Sequence, residues 1–283
     1  MSIFKNILGG LAVGFRYKRL AVYIFLIQLF LALLIGVLTY NYIQGPIGHS
    51  TNLFNVMKGY DHDLFQDLLR FEGTGWRMIK SFLVTACLVY LLLGPFIIGG
   101  TLRVWEANDD QWIIFWDGGT EYFTRLIKLN LINLFVIGIA AGLIGFAGGI
   151  WTVWGLENLL SEVPVLIGIA TLVILFISFL IFLIALSLHA KHAIVNLHSS
   201  LNIFKQLRVS FKSIRPHFIK LLTIGFLWLL LSLTLFYVLN FLINWIPEPS
   251  LLLVFIAFCL QLMVLYLRVC FRNGFYWSIL DKT

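Results

Sequence analysis

Long apolar runs alternate with short charged stretches along this chain. Six runs hold no Asp, Glu, Lys, Arg or His over their centres: Leu20–Tyr40, Ser81–Leu102, Leu129–Trp151, Val163–Leu188, Leu221–Trp245 and Leu251–Leu267. A helix needs about 20 apolar residues to cross the hydrocarbon layer, with a range of about 17–25. The pattern therefore predicts six transmembrane helices, the last at the short limit. Arg268 and Arg272, just behind it, can snorkel to the interface.

Between the runs the period changes. Ile3, Phe4, Ile7, Leu8, Leu11 and Phe15 recur at helical spacing, followed by Arg16, Lys18 and Arg19. Ile113, Phe115, Trp116, Tyr122, Phe123 and Leu126 do the same beside Arg125 and Lys128. In the third stretch Ile203, Leu207, Phe211, Ile214 and Phe218 take one face, and Lys205, Arg208, Lys212 and Arg215 another. Each stretch runs straight into an apolar run. Local text recurs too: Ile3-Phe-Lys5 matches Ile203-Phe-Lys205. These features predict an internal repeat of an amphipathic helix on one leaflet followed by a transmembrane hairpin, three times over. The repeat units are 1–105, 106–198 and 199–283 of a single membrane domain.

Charge orients this arrangement. With both termini inside, the cytoplasmic segments hold sixteen of the twenty Lys and Arg. Translocating Lys and Arg is disfavoured, so both termini are expected in the cytoplasm. The stretch His189–Lys220 contributes six of those bases and no acid. Seven of the thirteen acids fall on the outer side, where Trp151, Trp154 and Trp245 also mark an interface. Only 12% of the residues are charged, about half the usual share of a soluble domain, and mean hydropathy is +0.96. A net charge of +7 confined to segments beside spans reads as topology and affinity for anionic lipid, not for nucleic acid. Cys87, Cys259 and Cys270 form no C-x-x-C pair and read as small buried hydrophobes.

The long outer loop, 41–80, is punctuated by Gly45-Pro46 and Gly73-Thr-Gly75. Within it Asp61, His62, Asp63 and Asp67 make the most enzyme-like grouping, with His49 upstream. It matches no catalytic motif, and a solvated acidic helix face accounts for it. His189 and His192 are spaced as metal ligands are. No carboxylate or Cys lies close in sequence to complete a site, so interfacial histidines are the reading and no cofactor is expected. No ionisable residue lies near mid-membrane, which counts against a pump, a voltage sensor or a proton relay. Asn130 with Asn133, and Asn240 with Asn244, are spaced to hydrogen-bond a neighbouring helix.

Glycine supplies two further features. Gly138, Gly142, Gly145 and Gly149 share one helix face and predict a tight helix crossing, with a partner in this chain or another. Gly94-Pro95 with Gly99-Gly100 interrupts the second apolar run, and a break there could kink the helix or open a cavity.

The inner-face helix with spaced bases at Ile203–Lys220, and the Gly94–Arg103 run leading into an acidic, aromatic loop, carry a resemblance. The chain resembles a broad group of uncharacterised bacterial six-span inner-membrane proteins. These are similar to the membrane domain attached to some glycerophosphodiester phosphodiesterases. The resemblance implies a fold and a place in the bacterial inner membrane. It carries no catalytic residue over, because the phosphodiesterase domain itself is missing from this sequence.

The fold class expected is an all-α polytopic membrane protein of three hairpins. The leading function is a non-enzymatic scaffold or accessory subunit whose partners are membrane lipids and other membrane subunits. Arg16, Lys18, Arg19, Lys205, Arg208, Lys212 and Arg215 would bind lipid, and Gly138, Gly142, Gly145 and Gly149 would pack a helix. A carrier of a lipid or other amphiphile, using a cavity at Gly94–Gly100, is the alternative, and an outer-leaflet enzyme comes third.

Overall fold

A computed structural model describes residues 3–47, 74–158, 163–196, 202–244 and 251–280, almost all of them helical. In chain order the helices are α1 (Ile3–Arg16), α2 (Lys18–Ile47), α3 (Thr74–Ala107), α4 (Trp112–Glu121), α5 (Phe123–Asn158), α6 (Val163–Asn196), α7 (Ile203–Ile214), α8 (Phe218–Asn244) and α9 (Leu251–Leu280). A 3-10 turn, Arg215–His217, joins α7 to α8. The three amphipathic stretches are thus the short helices α1, α4 and α7.

Each short helix passes into a long one almost without a loop. Tyr17 alone separates α1 from α2, with a 75° bend. Tyr122 alone separates α4 from α5. At the third junction Pro216 occupies the 3-10 turn, and its missing N–H prevents an unbroken α-helical ladder. Among the described residues, helices long and apolar enough to cross a membrane run over Leu88–Ala107, Phe123–Gly155, Val163–Val195 and Ile203–Leu239. A fifth arises if α1 and the start of α2 form one bent span. The chain is a membrane-embedded, multi-pass helical protein. The sixth apolar run lies on α9, where only part of the side chains are described.

Two sequence features look different in three dimensions. Helix α2 continues through Gly45-Pro46 to Ile47 and α3 already starts at Thr74, so helix extends into both ends of the expected outer loop. The acidic grouping of Asp61, His62, Asp63 and Asp67, and His49, lie outside the described residues. Helix α3 also runs unbroken through Gly94-Pro95 and Gly99-Gly100. Proline is tolerated inside membrane helices where neighbours satisfy the freed carbonyl.

Contacts divide the chain into Met1–Tyr23 with Pro95–Thr283, and Ile24–Gly94. The second unit holds the rest of α2 and the first part of α3. In the first, α5 packs on α6, and α8 on both α6 and α9. One cluster joins Leu102, Tyr122, Leu126, Leu129, Ala190, Ile194 and Val195; another joins Ala185, Leu188, Ile214, Leu221 and Ile279. Both lie where short helices meet the ends of long ones.

A polar contact fixes the α5–α6 pair. The Asn133 side-chain amide donates to Ser187 Oγ at 2.7 Å, and both residues are buried. Asn133 thus finds the partner its spacing called for; the side chains of Asn240 and Asn244 lie outside those described. Ser187→Ala should lower stability by about 0.6–1.7 kcal/mol, the range for hydrogen bonds between membrane helices. Thermal unfolding in detergent measures this, and no change would mean Asn133 finds another partner.

Candidate membrane-anchoring site

Glycines seat two of the three short helices, α1 and α4. On α1 the buried face is Asn6, Gly10 and Gly14. It lies against α9, where Gly10 meets Gly274 and Ser278 and Gly14 meets Cys270. A Cβ on Gly274 would stand 2.6 Å from the Gly10 carbonyl oxygen, so the two backbones are nearly in contact. Ser278 Oγ lies 3.2 Å from the Asn6 carbonyl oxygen, bonding the two helices. The approach is possible only because neither helix carries a side chain there.

Helix α4 repeats the device on α3. Gly99 and Gly100 face Gly118 and Phe115, and Gly119 faces the Phe96 ring. Helix α4 thus occupies the space beside Gly99 and Gly100. Phe96 packs edge-on to Phe115 and Trp116, at 5.7 and 4.9 Å between ring centres. Helix α7 buries Gln206, Ser210 and Ile214. It lies on α6, with Ile203 and Leu207 against the cluster that holds Ala190, Ile194 and Val195. Phe182 and Phe211 pack edge-on, 6.0 Å apart.

The docking order follows a rule. Helix α4 sits on the long helix before it, α3, and α7 sits on α6. Helix α1, which has no helix before it among those described, sits on α9. The buried positions of α1 and α7 also correspond, each set spaced by four residues and starting on an amide, Asn6 or Gln206.

The α1–α2 bend is clamped from a neighbouring loop. Tyr17 Oη donates to Asn108 Oδ1 at 2.9 Å, and the Arg19 backbone N–H donates to Asp110 Oδ2 at 3.2 Å. Asn108 takes a left-handed conformation, φ 53°, which Asn adopts more readily than most residues. Tyr23 packs edge-on to Trp112 at 4.7 Å. At the α4–α5 junction burial pushes the Tyr122 phenol up to about 12, so it enters the cluster as a neutral group. Arg103 pairs with Glu106 at 2.6 Å on α3.

Docking by these faces leaves the bases outside. Arg16, Lys18 and Arg19 are exposed at the first bend, and Lys205, Arg208, Lys212 and Arg215 are exposed on and after α7. None of the seven makes an ion pair among the described residues. Four of them fall within eleven residues of chain, one helical turn before an apolar helix. The predicted lipid-binding residues therefore present positive charge without an ion pair among the described residues.

The other predicted set is also free. An added Cβ on Gly138, Gly142, Gly145 or Gly149 meets nothing within 4 Å. Among the described residues no helix occupies that face of α5. At its far end an open groove of about 480 Å³ is lined by Phe146, Gly149, Ile150, Val153, Trp154 and Glu157. Trp151, one turn away, donates from its indole N–H to the Val165 carbonyl at 3.3 Å.

No protein-family profile, no curated protein and no solved structure matches this chain.

Sequence reasoning missed the crossing of Gly10 and Gly14 with Gly274. The signal was present as Gly9-Gly10 and Gly14, but it sat inside a stretch read for its apolar residues. It also missed how deeply the end of α6 is covered. His189 and Lys191 are both buried, and His189 bonds the Ile279 backbone. Among the described residues no third His, Cys, Asp or Glu joins His189 and His192 into a metal-sized group.

Proposed function

We propose that this chain is a non-enzymatic scaffold or accessory subunit of a bacterial inner-membrane complex, held at the cytoplasmic leaflet by anionic lipid. In this reading six spans form three hairpins with both termini cytoplasmic, and each hairpin follows one short helix. The likeness to the membrane domain attached to some glycerophosphodiester phosphodiesterases belongs to the same proposal. One observation carries it: Lys205, Arg208, Lys212 and Arg215 all stand exposed, without an ion pair among the described residues, directly before an apolar helix. Bases in that position gain about 1 kcal/mol each near an anionic surface. The regular docking of α4 on α3, α7 on α6 and α1 on α9 supports the threefold repeat. The open glycine face of α5 supports a subunit role, because small residues let a further helix approach closely.

Extraction in a mild detergent, followed by mass spectrometry of what stays bound, tests this. Anionic phospholipid should be retained in preference to zwitterionic lipid, together with a second membrane protein in fixed ratio. A chain that emerges with neither would end the proposal.

A further inference from the structure

Polar groups sealed inside a protein are almost always hydrogen-bonded. Among the described residues, seven buried side-chain nitrogen and oxygen atoms have no partner. Four of the seven belong to one turn of α9 and the residue packed on it: Arg272 Nε and Nη2, Asn273 Nδ2 and Trp228 Nε1. Asn273 and Trp228 are only 2% and 3% exposed. Trp228, on α8, lies against this turn, with ring centres 6.0 Å from Phe271 and 6.3 Å from Phe275. A Cβ on Gly274 would stand 2.9 Å from the same indole.

The four atoms have one character. Each is an N–H donor, and Arg272 adds a full positive charge. Arg268, one turn earlier, is exposed, as a base reaching for water should be. Arg272 is part-buried instead, and no acid among the described residues pairs with it. Leaving a buried charge without its counter-charge is strongly destabilising. Ionisable groups held inside membrane-protein bundles mark functional sites for that reason.

The geometry of the guanidinium narrows the class of ligand. Nε and Nη2 lie on one edge of the group, and their N–H bonds point the same way. That edge fits two oxygens of a single oxyanion. The fork would engage both oxygens of a carboxylate. A phosphate has further oxygens to accept from Asn273 and Trp228. Nη1 is not among the sealed atoms, so the guanidinium keeps an open side by which a small anion reaches it. Rotation about the flexible side chain then brings the fork round to that side.

We propose that Arg272, supported by Asn273 and Trp228, forms a phosphate-binding site on the turn Phe271–Phe275 of α9. A phospholipid head group and free phosphate present the same chemistry, and the test separates them. The site uses none of the exposed bases of α7, so it and the anchoring reading can fail separately.

Full-length protein in mild detergent is titrated in two arms at constant ionic strength. One arm uses inorganic phosphate, read by calorimetry. The other compares phosphatidic acid with diacylglycerol of the same acyl chains, read by native mass spectrometry. Binding should appear in at least one arm and weaken roughly tenfold or more in Arg272→Met. Phosphatidic acid alone binding identifies a lipid source; inorganic phosphate binding as well identifies a soluble one. Arg272→Lys keeps the charge without the fork and should recover only part of the affinity. Without ligand, Arg272→Met should unfold at the same or a higher temperature, because an unpaired buried charge is gone. No binding in either arm overturns the proposal, as does binding that survives Arg272→Met. A lower unfolding temperature for Arg272→Met, matched by Asp281→Asn at the nearest acid in sequence, also ends it, since the chain would then supply the counter-charge. The Arg272-dependent binding should persist in Arg208→Gln, Lys212→Gln, Arg215→Gln protein; its loss there would assign the phosphate to α7.

Discussion

Gly14→Leu is expected to unseat α1 from α9. The Cβ added at Gly14 would meet the backbone of Cys270, and Gly274 lies alongside. Overpacking usually costs about 1–3 kcal/mol because side chains can move aside. Here the obstacle is helix backbone, so the loss should be about 3 kcal/mol or more. Leucine favours helix over glycine by about 1 kcal/mol, too little to offset that. The readout is a lower unfolding temperature in detergent, with faster proteolysis around Arg16–Arg19 as α1 comes away. Gly142→Leu is the matched control. Its Cβ meets nothing within 4 Å among the described residues, so the isolated protein should be as stable as before, or slightly more so. If α5 docks another helix there, that association alone should weaken. Equal destabilisation at both positions would show that α1 is not held by this crossing.

Replacing Arg208, Lys212 and Arg215 together with Gln should cost about 3 kcal/mol of preference for anionic lipid, on the order of a hundredfold. All three side chains are exposed on one short segment, so the loss should come without a loss of fold. Native mass spectrometry of protein purified with mixed lipids reads the preference directly. The effect should shrink as salt rises, because exposed charges are screened over about 10 Å at 0.1 M. A triple variant that retains the original lipid ratio would place the anionic site elsewhere, with Arg16, Lys18 and Arg19 as the next set to substitute.

What could be read from the chain alone followed from periodicity and charge. Uncharged runs of membrane length became long helices, because a backbone in hydrocarbon must satisfy its own hydrogen bonds. The amphipathic stretches became α1, α4 and α7, since their apolar residues already recurred at the helical period. The exposure of the bases was legible for the same reason: Lys and Arg beside a long apolar helix are costly to bury. Even Asn133 was found by spacing before Ser187 was known as its partner.

Tertiary structure decided which small residues are used. Glycines at regular spacing say that a backbone can come close; they do not say whether one does. Gly138–Gly149 has the more regular pattern and meets no neighbour among the described residues, whereas Gly10 and Gly14 meet Gly274 more than 250 residues along the chain. Gly99 and Gly100 read locally as a break, yet α3 is continuous and they seat α4. Local sequence fixes helix, depth and charge because each depends on one segment and its solvent. Contact between helices depends on shape at both surfaces, and only the folded chain brings the two together.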